Sequence, residues 1–85
     1  MRDVKEPVGI IIRMLDHAEV SEGEVADLTF EAEGELLDAL NEAYIALVEF
    51  VHDRALRERD AAVDDWERAA LKDALNKIVK LSEAA

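Results

Sequence analysis

Apolar residues recur along the chain at the 3.6-residue spacing of an α-helix, with charged residues on the opposite faces. The run Ile10–Ile12 is also compatible with a strand, but the helical pattern on both sides of it favours a helix. The pattern therefore predicts an all-α fold, a three-helix bundle with a long central helix, in a single domain over residues 1–85. The predicted helices cover about residues 4–18, 22–57 and 61–82.

The start of the second helix carries a clear local signal. Ser21 and Glu24 have the S-x-x-E spacing of a capping box, and Val20 and Val25 stand where a hydrophobic staple is found. This combination predicts that a helix begins at about Glu22. Farther along the chain, Asp64 and Glu67 have the same spacing and predict a cap near the start of the third helix.

The predicted central helix is too long for a compact domain of this size. Its apolar register holds for about thirty residues, or about 45 Å at 1.5 Å per residue, whereas an 85-residue domain has a radius of gyration of about 12 Å. Either the helix breaks near Thr29–Gly34, or it protrudes and packs against a second copy. We predict a homodimer that buries the apolar stretch Ala43–Val51. The residues expected to hold the bundle or dimer together are Leu40, Tyr44, Leu47, Val48 and Val51.

Charge is distributed very unevenly along the chain. The net charge is −11, and residues 14–53 contain twelve acidic residues and no lysine or arginine. Such a segment repels nucleic acids and anionic membranes and attracts basic partners. On the predicted central helix, the carboxylates of one face are Glu24, Asp27, Glu31, Glu35, Asp38 and Glu42.

Like charges along one helix face repel each other, by about 0.2–0.5 kcal/mol per pair at i,i+4 spacing. We therefore predict a small, acidic, non-enzymatic protein-interaction module that binds a basic partner through this face. Because the carboxylates recur about once per helical turn, the partner could be a nucleic-acid-binding protein that the chain inhibits by mimicking a phosphate track. The alternative is a purely structural subunit that self-assembles through its apolar residues.

Residues that could carry chemistry are few. Glu49 and His52 form a Glu-x-x-His pair, which ligates metal ions in di-metal carboxylate proteins when it faces a bundle core. Here Glu49 falls on the charged side of the helix, so the sequence predicts no cofactor, and a di-metal carboxylate protein that uses Glu49 and His52 is the least favoured alternative function. Cysteine is absent and the three glycines are isolated, which leaves no thiol nucleophile and no phosphate-binding loop.

Trp66, the only tryptophan, lies at the edge of the third apolar arc and is therefore a candidate interface anchor as well as a core residue. No apolar run approaches the length of about 20 residues that spans a bilayer, and no basic stretch followed by an apolar segment marks a secretory signal near Met1. The expected location is the cytoplasm.

Overall fold

The computed structural model describes residues 4–17 and 19–83, and within these residues it is a helical bundle without strands. Its five helices are α1 (Lys5–Leu15), α2 (Glu22–Ala26), α3 (Gly34–His52), α4 (Arg54–Arg59) and α5 (Ala61–Glu83). The radius of gyration is 12.6 Å and the molecule measures 40 × 23 × 18 Å. The prediction of an all-α fold is confirmed. In the described part of the chain, no helix is both long and apolar enough to cross a membrane.

The prediction of one unbroken helix over 22–57 is wrong, and the alternative break near Thr29–Gly34 is what the structure shows. Residues 27–33 connect α2 to α3 without helical structure. Gly34 has a φ of +61°, a left-handed conformation that glycine adopts without strain. Since the chain folds back at this point, no protruding rod is left that needs a second copy to cover it.

The second interruption lies at Asp53, between α3 and α4. The Asp53 amide still donates to the Glu49 carbonyl at 2.8 Å, but the Phe50 carbonyl accepts a hydrogen bond from Nε of Arg57 at 2.9 Å. A side chain that takes over a carbonyl from the last turn of a helix is a common cause of a bend. The joint therefore places Arg57 against the end of α3.

The start of α2 follows the predicted capping box. The Glu24 amide donates to Oγ of Ser21 at 3.2 Å, and the Ser21 amide donates to Oε2 of Glu24 at 2.9 Å. By contrast, the cap predicted from Asp64 and Glu67 is wrong. α5 begins earlier, at Ala61, where the Asp60 carboxylate accepts from the amides of the second and third helical residues.

α3 and α5 pack against each other along the bundle, and α1 lies against both of them. The fully buried aliphatic side chains include Ile11, Leu40, Leu47, Leu71 and Ile78. In α3 the buried side is displaced from the predicted arc. Ala39 is buried there and Val48 is 43% exposed.

Candidate interaction surface

The structure separates the six predicted partner-binding acids into groups. Glu35, Asp38 and Glu42 are exposed on α3, where spacings of three, four and seven residues place them along one side of the helix. Glu49, seven residues after Glu42, continues the same side and is also exposed. We call these four residues the α3 acidic stripe.

Glu24 and Asp27 lie elsewhere, beside α1. Together with Lys5 and Arg13 they line a shallow depression of about 420 Å³ between α1 and α2. Glu24 is held in place by Nη1 of Arg13, 3.1 Å from its Oε1. Hydrogen bonding from the Ser21 amide, followed by the Arg13 guanidinium, lowers the pKa of Glu24. Its carboxylate is thus used to fix α1 against the start of α2.

Glu31 is exposed in the connection between α2 and α3, outside any helix. The expectation that all six carboxylates follow one rod is therefore wrong, because that rod is interrupted at 27–33. Within residues 4–17 and 19–83, Glu35 and Asp38 form no ion pair, whereas Glu42 pairs with Lys77 of α5 at 3.2 Å between Oε2 and Nζ. What remains of the predicted face is the stripe on α3.

The five residues expected at a bundle or dimer interface have different environments. Leu40 and Leu47 are fully buried inside the single chain, so their role is in the bundle core. Tyr44 and Val51 are half-buried, and Val48 is exposed. These last three border a small depression of about 250 Å³ between α2 and α3.

Glu49 and His52 are both exposed on α3. Across the described stretches of chain, no three histidine or acidic side chains are grouped in a way that could hold a metal ion.

A cluster of charged side chains that the sequence did not predict joins α4, α5, α1 and the end of α3. Nη1 of Arg57 lies 3.0 Å from Oδ1 of Asp64, and Nε of Arg68 lies 2.8 Å from Oδ2 of the same carboxylate. Nη1 of Arg68 also donates to the Met14 carbonyl at 2.6 Å. Hydrogen bonding from Arg68 is the largest of the effects that lower the pKa of Asp64.

The aromatic ring of Phe50 packs against both arginines of the same cluster. The guanidinium carbon of Arg57 lies 3.5 Å from the centroid of the Phe50 ring, and that of Arg68 lies 5.2 Å from it. Cations over an aromatic face are stabilised by its negative electrostatic potential. The two arginines therefore have carboxylate, carbonyl and ring partners at once, which makes the cluster a clamp between helices.

Glu67 is the exception within this cluster. It is only 7% exposed, and its Oε2 has no hydrogen-bond partner among the residues described. Nε of Arg57 is 3.7 Å away from that oxygen, beyond hydrogen-bonding distance. Burial, followed by the hydrogen bond with Asp53 and the negative charges of Asp53 and Glu49, raises the pKa of Glu67 to about 7.

A wide cleft of about 1070 Å³ opens beside the arginine clamp and is lined by residues of all five helices and of the connection between α1 and α2. Arginine and carboxylate side chains alternate around it, and Arg54 pairs there with Glu19 at 3.0 Å and with Glu58 at 3.4 Å. Since Arg54, Arg57 and Arg68 all have acidic partners within the chain, the cleft does not carry a strong charge of one sign.

Comparison with known proteins gives no relative from which a role could be transferred: no family model matches the chain, and no curated protein or solved structure matches it either. The candidate site therefore rests on its own geometry.

Proposed function

We propose that this chain is a non-enzymatic interaction protein that binds a basic protein partner through the α3 acidic stripe. The observation that carries the proposal is the exposure of Glu35 and Asp38 on one helix side without a cationic partner among the described residues. Carboxylates in this arrangement repel one another, and a basic surface relieves that repulsion on docking.

The rest of the molecule's charge supports the same interpretation. Arg57 and Arg68 are directed inward to Asp64, and Arg54 binds Glu19 and Glu58. Only Lys77 reaches the stripe from α5 in the described structure, through Glu42. The basic residues of the second half of the chain thus leave most of the stripe uncompensated.

Charge neutralisation at the stripe tests this proposal. The double variant Glu35→Gln with Asp38→Asn removes two exposed charges from the stripe, and Asp16→Asn with Asp27→Asn removes two exposed charges from other parts of the surface. Binding of a fluorescent oligolysine peptide is measured for both variants by anisotropy at several salt concentrations. We expect the stripe variant to lose about three- to tenfold in affinity and to show a weaker salt dependence, because exposed charge pairs contribute about 0.2–1 kcal/mol each.

The control pair should lose less than twofold. An equal loss in both variants would mean that the peptide responds only to the net charge of the molecule, and the stripe would then not be a binding site.

Self-assembly is the second candidate, and it is favoured by the 43% exposure of Val48 beside the depression between α2 and α3. The effect of salt on association distinguishes self-assembly from binding of a basic partner. Because each copy carries a charge of −11, screening should promote association of copies while it weakens binding of a basic partner. Sedimentation at low and high salt measures whether the 9.5 kDa chain associates.

A further inference from the structure

α1 packs against both α3 and α5 on one side of this pair. Arg68 of α5 reaches the Met14 carbonyl of α1, and Leu47 of α3 is fully buried. Trp66 stands two residues before Arg68, and Ile45 stands two residues before Leu47. A separation of two residues is a rotation of about 200° around the helix. Trp66 therefore points away from α1, and Ile45 points away from the buried side of α3; Trp66 is 71% and Ile45 is 59% exposed.

Helix register places the exposed tryptophan next to the α3 acidic stripe. Lys77 is bound to Glu42 across the α3–α5 seam. Trp66 precedes Lys77 by about three helical turns, so both lie along the same edge of α5. The negative charge of Glu49 also contributes to raising the pKa of Glu67, the residue after Trp66, which is consistent with this end of the stripe lying near the same turn of α5.

The exposed residues of the α3 acidic stripe and of this edge of α5, together with Ile45, form what we call the open face, which combines apolar and acidic groups. Ala69 and Ala70 are exposed beside Trp66 and allow close approach of a partner backbone. Its exposed residues include Asp38, Ile45 and Glu49 on α3 and Trp66, Ala70 and Asp73 on α5, and Lys77 lies on the same edge of α5, bound to Glu42.

We propose that the open face binds a basic amphipathic helix, with its apolar side against Trp66 and Ile45 and its lysines or arginines against the acids around them. This inference rests on the proposed function and specifies its partner. Two antiparallel helices leave a groove that accepts a third helix at 8–10 Å between axes, and α1 packs against the same pair. The helices of the described chain offer no sheet edge to an extended peptide, which leaves packing in the groove as the recognition mode.

Charge decides between a foreign helix and a second copy of this chain. A second copy would bring its own Asp38, Glu49 and Asp73 toward the same acids, and like charges in contact are strongly disfavoured. A basic helix meets these carboxylates with the opposite sign. Ile45 and Trp66 supply the apolar contact that a flexible basic tail would leave exposed.

Trp66 is the only tryptophan of the chain and therefore reports on this face without a label. The probe is a synthetic helix of lysine and leucine with all leucines on one side. Two control peptides are a scrambled sequence of the same composition and an oligolysine of the same charge. We expect the amphipathic helix alone to shift the Trp66 emission to shorter wavelength and to protect it from acrylamide quenching.

A pair of matched variants tests the apolar contact. Ile45→Ser should weaken binding of the amphipathic peptide about tenfold, a loss equivalent to about 1.4 kcal/mol. Ile12→Ser, at a residue of similar exposure on α1 (44%), should weaken it less than twofold. Since both side chains are exposed, circular dichroism should show that both variants fold.

The controls separate this inference from the broader proposal. Salt-dependent binding of oligolysine without a change in Trp66 emission would leave the α3 acidic stripe as a docking site and would overturn the helix-binding inference. Equal binding of scrambled and amphipathic peptides, or an emission shift caused by protein concentration alone, would also overturn it. If no basic peptide binds, both proposals fail.

Discussion

Buried Glu67 makes the stability of the free protein depend on pH in an unusual direction. The folded chain holds the Glu67 proton up to a pH of about 7, whereas the unfolded chain releases it near 4.5. Between these values the folded state binds more protons, so the free energy of unfolding falls as the pH rises and then stays level above pH 7. Most structural carboxylates act in the opposite direction, because their pKa is lowered by folding.

The groups that face Glu67 explain this sign. Asp53 at the α3–α4 joint and Glu49 on α3 oppose a second negative charge, and Arg57 on α4 is the cation that favours it. Arg57 is already bound to Asp64 and to the Phe50 carbonyl, and its Nε stays 3.7 Å from the free oxygen of Glu67. Desolvation and the two carboxylates therefore outweigh one guanidinium that is shared.

The substitution Glu67→Gln removes the ionisation and keeps a similar shape and a hydrogen-bond donor for Asp53. A tenfold change in proton affinity is worth about 1.4 kcal/mol, so a pKa raised from 4.5 to about 7 corresponds to roughly 3 kcal/mol above pH 7. Because Glu67→Gln also removes a negative charge near Arg57, we expect a net gain of about 1–3 kcal/mol at pH 8 and little change near pH 5.

Urea denaturation followed by circular dichroism measures this difference at a series of pH values. The control is Glu31→Gln, an exposed residue, which corrects for the general benefit of removing one negative charge from an acidic protein. A loss of stability at pH 8 in Glu67→Gln would show that the ion pair with Arg57 dominates. A gain that is equal at pH 5 and pH 8 would show that Glu67 does not titrate as argued.

Substitutions at four further positions test the fold. Leu71→Ala should destabilise the protein by about 2–5 kcal/mol in urea denaturation, because the side chain is fully buried. Ser21→Ala should cost about 0.5–2 kcal/mol by removing the capping box of α2, and restoring the cap with Ser21→Thr should recover most of it. Gly34→Ala should cost about 1–2 kcal/mol because Gly34 has a φ of +61°; the added Cβ would have no atom within 4 Å, so the cost comes from the backbone alone. His17 has a φ of 64°, so His17→Gly should stabilise the protein by up to about 1 kcal/mol. Equal effects at the two positions would contradict this backbone argument.

Local signals in the sequence were sufficient for the elements that depend on neighbouring residues. The capping box at Ser21 and Glu24 placed the start of α2 correctly, because both partners of that motif are close in the chain. Gly34 indicated a possible break in the central segment, and the other possibility was one continuous helix. Compactness decided between them, since a helix of about 45 Å exceeds the 40 Å longest dimension of the molecule.

The part of each apolar arc that is buried could not be predicted from neighbouring residues in the sequence. In α5, the arc contains both Trp66 and Leu71, yet Leu71 is fully buried and Trp66 is 71% exposed. Periodicity defines an arc wider than one contact surface, and the neighbouring helices select the part that is buried. Glu67 is buried where α4 and the end of α3 meet α5, and that arrangement depends on the bend at Asp53.

The candidate site likewise depends partly on local sequence and partly on how the helices pack. Composition and spacing identified Glu35, Asp38 and Glu42 as exposed acids on one helix side, because that depends only on the helix itself. The assignment of Glu24 to the same face failed because it required the helix to continue through 27–33. What the fold adds is the second helix of the open face: the ion pair between Lys77 and Glu42 marks the edge of α5 that lies beside the stripe, and Trp66 lies on that same edge. An acidic helix alone attracts any basic chain, whereas an acidic helix beside an exposed tryptophan selects a basic chain that also has an apolar side.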